Sequence, residues 1–175
     1  MGVLEVIEAR KSTRGFTAVP VPEDKLGAIL KAGGEAPVGL GKYDAIHFTV
    51  IQNPGLIAAI SDAATKGTER EGLDIYYGAG TVIVVSSAAQ PAPGLEYSNA
   101  GAITQNFLLA ATELGIDNVY IFGTVSGFAN APELLQKAGI PDGFKPVASV
   151  ALGYAEDAAA RVAKVPRSVA VNRVG

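Results

Sequence analysis

The apolar positions of this chain change period several times, and each change marks an element. In VLEVIEAR, residues 3–10, Val3, Leu4, Ile7 and Arg10 fall at helical spacing, which predicts a short amphipathic helix. PEDKLGAILKAGG predicts a second helix: Pro22 can open it, Glu23 and Asp24 suit its first turn, and Gly33-Gly34 end it. IHFTVIQ then reads as a strand, Asn53-Pro54-Gly55 as a turn and GLIAAISDAATK as another helix. Residues 67–78 are polar and Gly-rich, a loop or irregular helix. GTVIVVSS is a continuous β-branched run, the clearest strand of the chain, and APGLEY reads as a loop. NAGAITQNFLLAATELGI is apolar nearly all round and predicts a long buried helix stopped by Gly115. VYIFG follows as a short strand, PELLQKAG as a helix and PVASVALGYA as a strand, before a tail of mixed charge. Helices and about four strands in this order predict an α+β or α/β fold, with no repeat and no second domain.

Composition narrows the chemistry. The 175 residues suit one domain with a substantial core, and 49% of them are hydrophobic against 18% charged. So apolar a chain is expected to bury some of its surface between subunits. A net charge of −3 argues against a general nucleic-acid binder. No cysteine is present, which excludes disulfides, zinc–thiolate sites, iron–sulfur clusters and a thiol nucleophile. His47, the only histidine, lies inside a predicted strand and reads as structural rather than catalytic; no GxSxG elbow accompanies it. No apolar stretch is long enough for a membrane span and nothing resembles a targeting signal, so a cytoplasmic protein is expected.

Positive charge is the feature left over. ARKSTRGF, residues 9–16, carries Arg10, Lys11 and Arg14 within five positions, out of 14 Lys and Arg in the chain. No Lys or Arg occurs between residues 71 and 136, and a second group, Arg161, Lys164, Arg167 and Arg173, lies near the C-terminus. If the fold joins the two ends, they form an anion site to which Ser12 adds a hydroxyl, since guanidinium forks bind phosphate in bidentate fashion. The alternative is a solvated basic surface, or cations set at a helix end to complement its dipole.

Taken in order, ARKSTRGF, AGGEAPVG, NAGAITQNFLLAATELGIDNVYIFG, ASVALGYA and AKVPR resemble the FMN-dependent nitroreductase family, over nearly the whole chain and as a short member. The resemblance implies an α+β fold with a central, mainly antiparallel sheet flanked by helices, in an intertwined homodimer with FMN at the interface. On matching positions it puts Arg10, Lys11 and Ser12 near the ribityl and phosphate groups, and Lys164 and Arg167 on the phosphate. Arg14 would stand by the pyrimidine edge of the ring, where a cation stabilises the anionic reduced flavin. Phe122 and Gly123 would turn a backbone N–H toward flavin N5, and Pro37, Val38 and Gly39 would come from the other subunit. The implied activity passes electrons from NAD(P)H through N5 to a small oxidised acceptor such as a nitroaromatic or quinone, with no catalytic acid or base of the protein's own. A flavin-binding protein without turnover, or a structural domain with basic ends, are the competing readings. The insertion many members carry before the long helix is here only SAAQPAPGLEYS.

Overall fold

A computed structural model describes residues 1–165 and 168–175. Its elements, in chain order, are α1 (Val3–Ala9), β1 (Phe16–Thr17), α2 (Glu23–Gly34), β2 (Ile46–Ile51), α3 (Pro54–Thr65), β3 (Thr81–Ser87), α4 (Leu95–Glu113), β4 (Asp117–Ile121), α5 (Thr124–Asn130), α6 (Glu133–Lys137) and β5 (Lys145–Ala155). The sheet is antiparallel at every pairing. β5 is its spine: it pairs with β3 through Lys145–Leu152, with β4 through Ser149–Gly153, and with β1 through its last two residues. β2 closes the far side against β3.

Alternation along the strands sorts side chains into two cores. Ile83 and Val85 of β3, with Ala148, Val150 and Leu152 of β5, pack under α2 and α4 together with Phe107. Val82, Val84, Val119, Ile121 and Ala151 face the other way, against Ile57 and Ile60 of α3, Phe128 of α5 and Tyr76. All seven residues of β3 are buried, because helices cover both faces of the sheet; this is why its sequence is a continuous apolar run rather than an alternating one. His47 lies half-buried in β2 with its ring 5.7 Å from that of Phe144.

Several boundaries depart from the pattern. α4 begins at Leu95, so the last three residues of APGLEY belong to its first turn, with Gly94 entering at a φ of 82°. α5 is a helix that its short, Gly-containing sequence does not announce, and β1 is too brief to show a period. In α1 the buried residue is Val6, while Val3, Leu4 and Ile7 are 72%, 74% and 42% exposed. The predicted apolar stripe is present, but it points away from the chain's own core. Among the described residues no helix is long and apolar enough to cross a membrane.

Candidate functional site

α1 stops at Arg10, whose ψ of 125° turns the chain into an extended run over residues 11–17. That run is held from two sides. Thr13 donates its N–H to the Asn118 carbonyl at 3.0 Å, and Ser12 forms a parallel bridge with Asn118 at the start of β4. From the tail, the Val162 N–H reaches the Ser12 carbonyl at 2.9 Å, and the Arg14 N–H reaches that of Ala160 at 2.8 Å. The fold therefore brings the two basic ends of the chain together over β4.

At the junction sits Asp117, with its side chain only 13% exposed. Arg161 grips it with two hydrogen bonds, Nε to Oδ1 at 2.6 Å and a second guanidinium nitrogen to Oδ2 at 2.9 Å. The Ala155 N–H and the Thr13 hydroxyl also donate to it. Burial alone would raise the Asp117 carboxyl, but the Arg161 hydrogen bonds, the Ala155 N–H, the Arg161 charge and Thr13 together hold it below the usual carboxylate value. Arg161 is thus tied to a carboxylate within the chain.

Lys164 instead donates to the Ile7 and Glu8 carbonyls, at 2.7 and 2.8 Å, where the last turn of α1 has no basic residue of its own. An ammonium carries three hydrogens, so one remains to point elsewhere. A dipole-complementing cation for the C-terminal end of α1 therefore comes from the tail. Lys11 and Arg14 are exposed, and Ser12 is half-buried. Beside them a polar cavity of about 230 Å³ is lined by Lys11, Thr112, Asp117, Asn118 and Arg161. Arg167 lies outside the described residues.

The remaining predicted residues stand elsewhere. Phe122, 53% exposed, and Gly123 make the turn from β4 into α5. The four residues from Asn118 to Phe122 put that turn about 13 Å along the strand from the basic junction, at roughly 3.3 Å per residue. Val38 is buried in the chain's own core, so only its main chain can meet a ligand, whereas Pro37 is exposed. Gly39 donates its N–H to Asn99 Oδ1 at 2.9 Å and lies so close to Leu95 that a Cβ there would be 2.6 Å from Leu95 Cδ1. The 37–39 segment thus sits at the start of α4, and Thr112 beside Lys11 at its end. Thirteen residues separate Asn99 from Thr112, about 20 Å at 1.5 Å per residue. One chain does not bring residues 37–39 to its own Lys11 cluster.

Sequence reasoning passed over Thr13, Asn99, Asp117 and Asn118. Asp117 lies 104 residues from Thr13 and 44 from Arg161, so no local spacing links the three. The available signal was weak: an acidic residue opening a strand directly after the Gly115 helix stop.

Comparison with known proteins adds a consistent set of likenesses. A family model described as "Nitroreductase family" matches residues 7–154. A crystal structure of a nitroreductase with bound FMN from Bacteroides fragilis superposes with a TM-score of 0.86, at 30% identity, covering 100% of both chains. One from Desulfitobacterium hafniense, also a nitroreductase with bound FMN, gives 0.85 at 28% identity over 99% of this chain and 98% of that one. An Archaeoglobus fulgidus protein provisionally named NADH dehydrogenase/NAD(P)H nitroreductase is 28% identical over 157 residues, 88% of this chain and 86% of its own length.

Proposed function

The chain belongs to the nitroreductase family, and from that premise we propose that it is an FMN-dependent oxidoreductase taking electrons from NAD(P)H. The observation that carries the reading is the junction of the two basic ends over β4, where Thr13, Ser12 and Arg14 are bound by their main chains to Asn118, Val162 and Ala160.

The residues present suit FMN. Lys11, Ser12 and the third hydrogen of Lys164 would hold the phosphate end together with Arg10 and Arg167, because charge-assisted hydrogen bonds of roughly 1.5–3 kcal/mol each favour a dianion there. Arg14 would stand by the pyrimidine edge of the ring. Phe122 and Gly123, further along β4, would offer main-chain N–H to N5. Bound FMN supplies the electron chemistry, which is why no acid–base pair of side chains is needed. A nitroaromatic or a quinone is the class of acceptor proposed.

The 20 Å between residues 37–39 and the Lys11 cluster supports a further part of this reading, a homodimer in which the Pro37–Gly39 main chain of one copy covers the flavin of the other. The exposed Val3, Leu4 and Ile7 of α1 favour the same arrangement, since an isolated subunit has no use for an apolar face in water.

A visible spectrum of the purified protein, then addition of NADH or NADPH under argon, tests the proposal. A flavin band that bleaches on addition and returns with a quinone is the expected result. A protein that binds no FMN even when it is supplied overturns it, and one that binds FMN but stays oxidised reduces it to a flavin carrier.

A further inference from the structure

Beneath the Phe122–Gly123 turn lies a row of three buried hydroxyls. Tyr76 Oη is 2.8 Å from Thr124 Oγ1, Thr124 Oγ1 is 2.6 Å from Ser149 Oγ, and Ser149 Oγ donates to the Ile121 carbonyl at 2.9 Å. All three side chains are inaccessible to solvent. The end of the row sets its direction. A carbonyl only accepts, so the single Ser149 hydrogen goes to Ile121, Ser149 accepts from Thr124, and Thr124 accepts from Tyr76. Each hydroxyl donates once, and Thr124 and Ser149 each accept from the one before. Burial, partly offset by the Thr124 hydrogen bond and reinforced by the Asp74 carboxylate, keeps the Tyr76 phenol well above its ordinary value, so it remains a donor.

The row holds the turn from both sides. Its last acceptor is the residue before Phe122, and Thr124 is the residue after Gly123. Ile75 stands beside the turn, since a Cβ on Gly123 would lie 3.4 Å from Ile75 Cδ1. The head of the row is itself anchored: Asp74 accepts the Tyr76 and Gly78 N–H groups at 2.8 and 2.7 Å, and Ser61 of α3 accepts that of Ile75 at 2.9 Å. A buried hydroxyl left without its partner is costly, so removing the central member of the row disturbs both neighbours, and removing the first disturbs only one.

We propose that Tyr76, Thr124 and Ser149 are positioning residues that fix the Phe122–Gly123 main chain for a flavin, so that the buried row tunes the cofactor through that main chain. This rests on the flavin reading above. N5 of oxidised FMN is an acceptor, whereas N5 of the reduced ring carries a hydrogen; a loosened turn therefore weakens the oxidised complex more.

The test uses T124V, which keeps the branched shape and removes the central hydroxyl, with T124S as its rescue. In T124V the dissociation constant for oxidised FMN should rise about tenfold with little change for reduced FMN, a midpoint less negative by about 30 mV. Amide exchange at residues 122–124 of the FMN-free protein should quicken, and T124S should restore both. If T124V does not fold, Y76F, which leaves the Thr124–Ser149 pair intact, should show a smaller shift of the same sign. Unchanged midpoint and exchange in the folded variant overturn the proposal while the flavin reading stands. A parent protein that binds no FMN overturns the flavin reading, and this one with it.

Discussion

Asp117 is the residue at which the two ends of the chain are joined. Its carboxyl is held below the ordinary value, so its ionised form is favoured by folding. That contribution is fully present above the unfolded carboxylate value, about pH 4, and is lost as pH falls through the lower folded value. Parent and D117N should therefore differ by a constant amount near neutrality and converge below about pH 4 in thermal melts. R161A should cost only about 1 kcal/mol, because the guanidinium is largely in water and exposed pairs are weak. Arg14 makes a different prediction. One charge about 4 Å from the anionic ring is worth ~4 kcal/mol at an effective dielectric of 20. Solvent around an exposed arginine leaves about a quarter of that, equivalent to roughly 20 mV for a two-electron couple. R14A should bind FMN at a more negative midpoint and be reduced more slowly by NADH. An unchanged midpoint in a redox titration would remove Arg14 from the ring.

At the scale of elements, the packing of α2 on α4 decides where the 37–39 segment lies. Gly33 makes that packing possible: a Cβ there would come within 2.6 Å of Phe107 Cδ1, and Phe107 is fully buried with its ring edge-on to Phe48 at 5.0 Å. Asn106 ties the same pair of helices through the Ala32 carbonyl at 2.9 Å. Gly33→Ala should destabilise by roughly 1–3 kcal/mol, because the phenyl ring has nowhere to move without strain. Calorimetry checks this directly. A melting point equal to the parent's would mean that the helices separate more easily than their contacts imply. The Gly33-Gly34 pair read as a helix stop in the sequence, and so it is, but its first member also makes the close approach.

For the whole molecule, the proposed dimer is the arrangement that brings residues 37–39 and the Lys11 cluster to one ligand. Sedimentation should show a dimer at micromolar concentration. Leu4→Asp places a charge on the exposed face of α1 and should shift the protein toward monomer, with FMN affinity falling in parallel. A stable FMN-loaded monomer would overturn the proposed interface. A monomeric L4D that keeps its FMN would show that the cofactor needs only one chain.

What the sequence determined by itself is what local periodicity and elimination can carry. The β-branched run 81–87, the long helix ending at Gly115 and the strand ending in LGYA were legible because each is long enough to show a period or bury both faces. The motifs from ARKSTRGF to ASVALGYA, taken in order, were enough for the family. α5 and β1 were not legible, being shorter than the window over which a period shows. Tertiary structure decided which cations are engaged. Arg161 and Lys164 look alike in the sequence, yet one meets the half-buried Asp117 carboxylate and the other the carbonyl end of α1. It also turned Val38 into the core and Val3, Leu4 and Ile7 away from it. The physical reason is the same throughout: hydrogen bonds and burial depend on partners dozens of residues distant, such as Thr13 with Asp117 and Tyr76 with Thr124, and only the closed sheet brings those partners within reach.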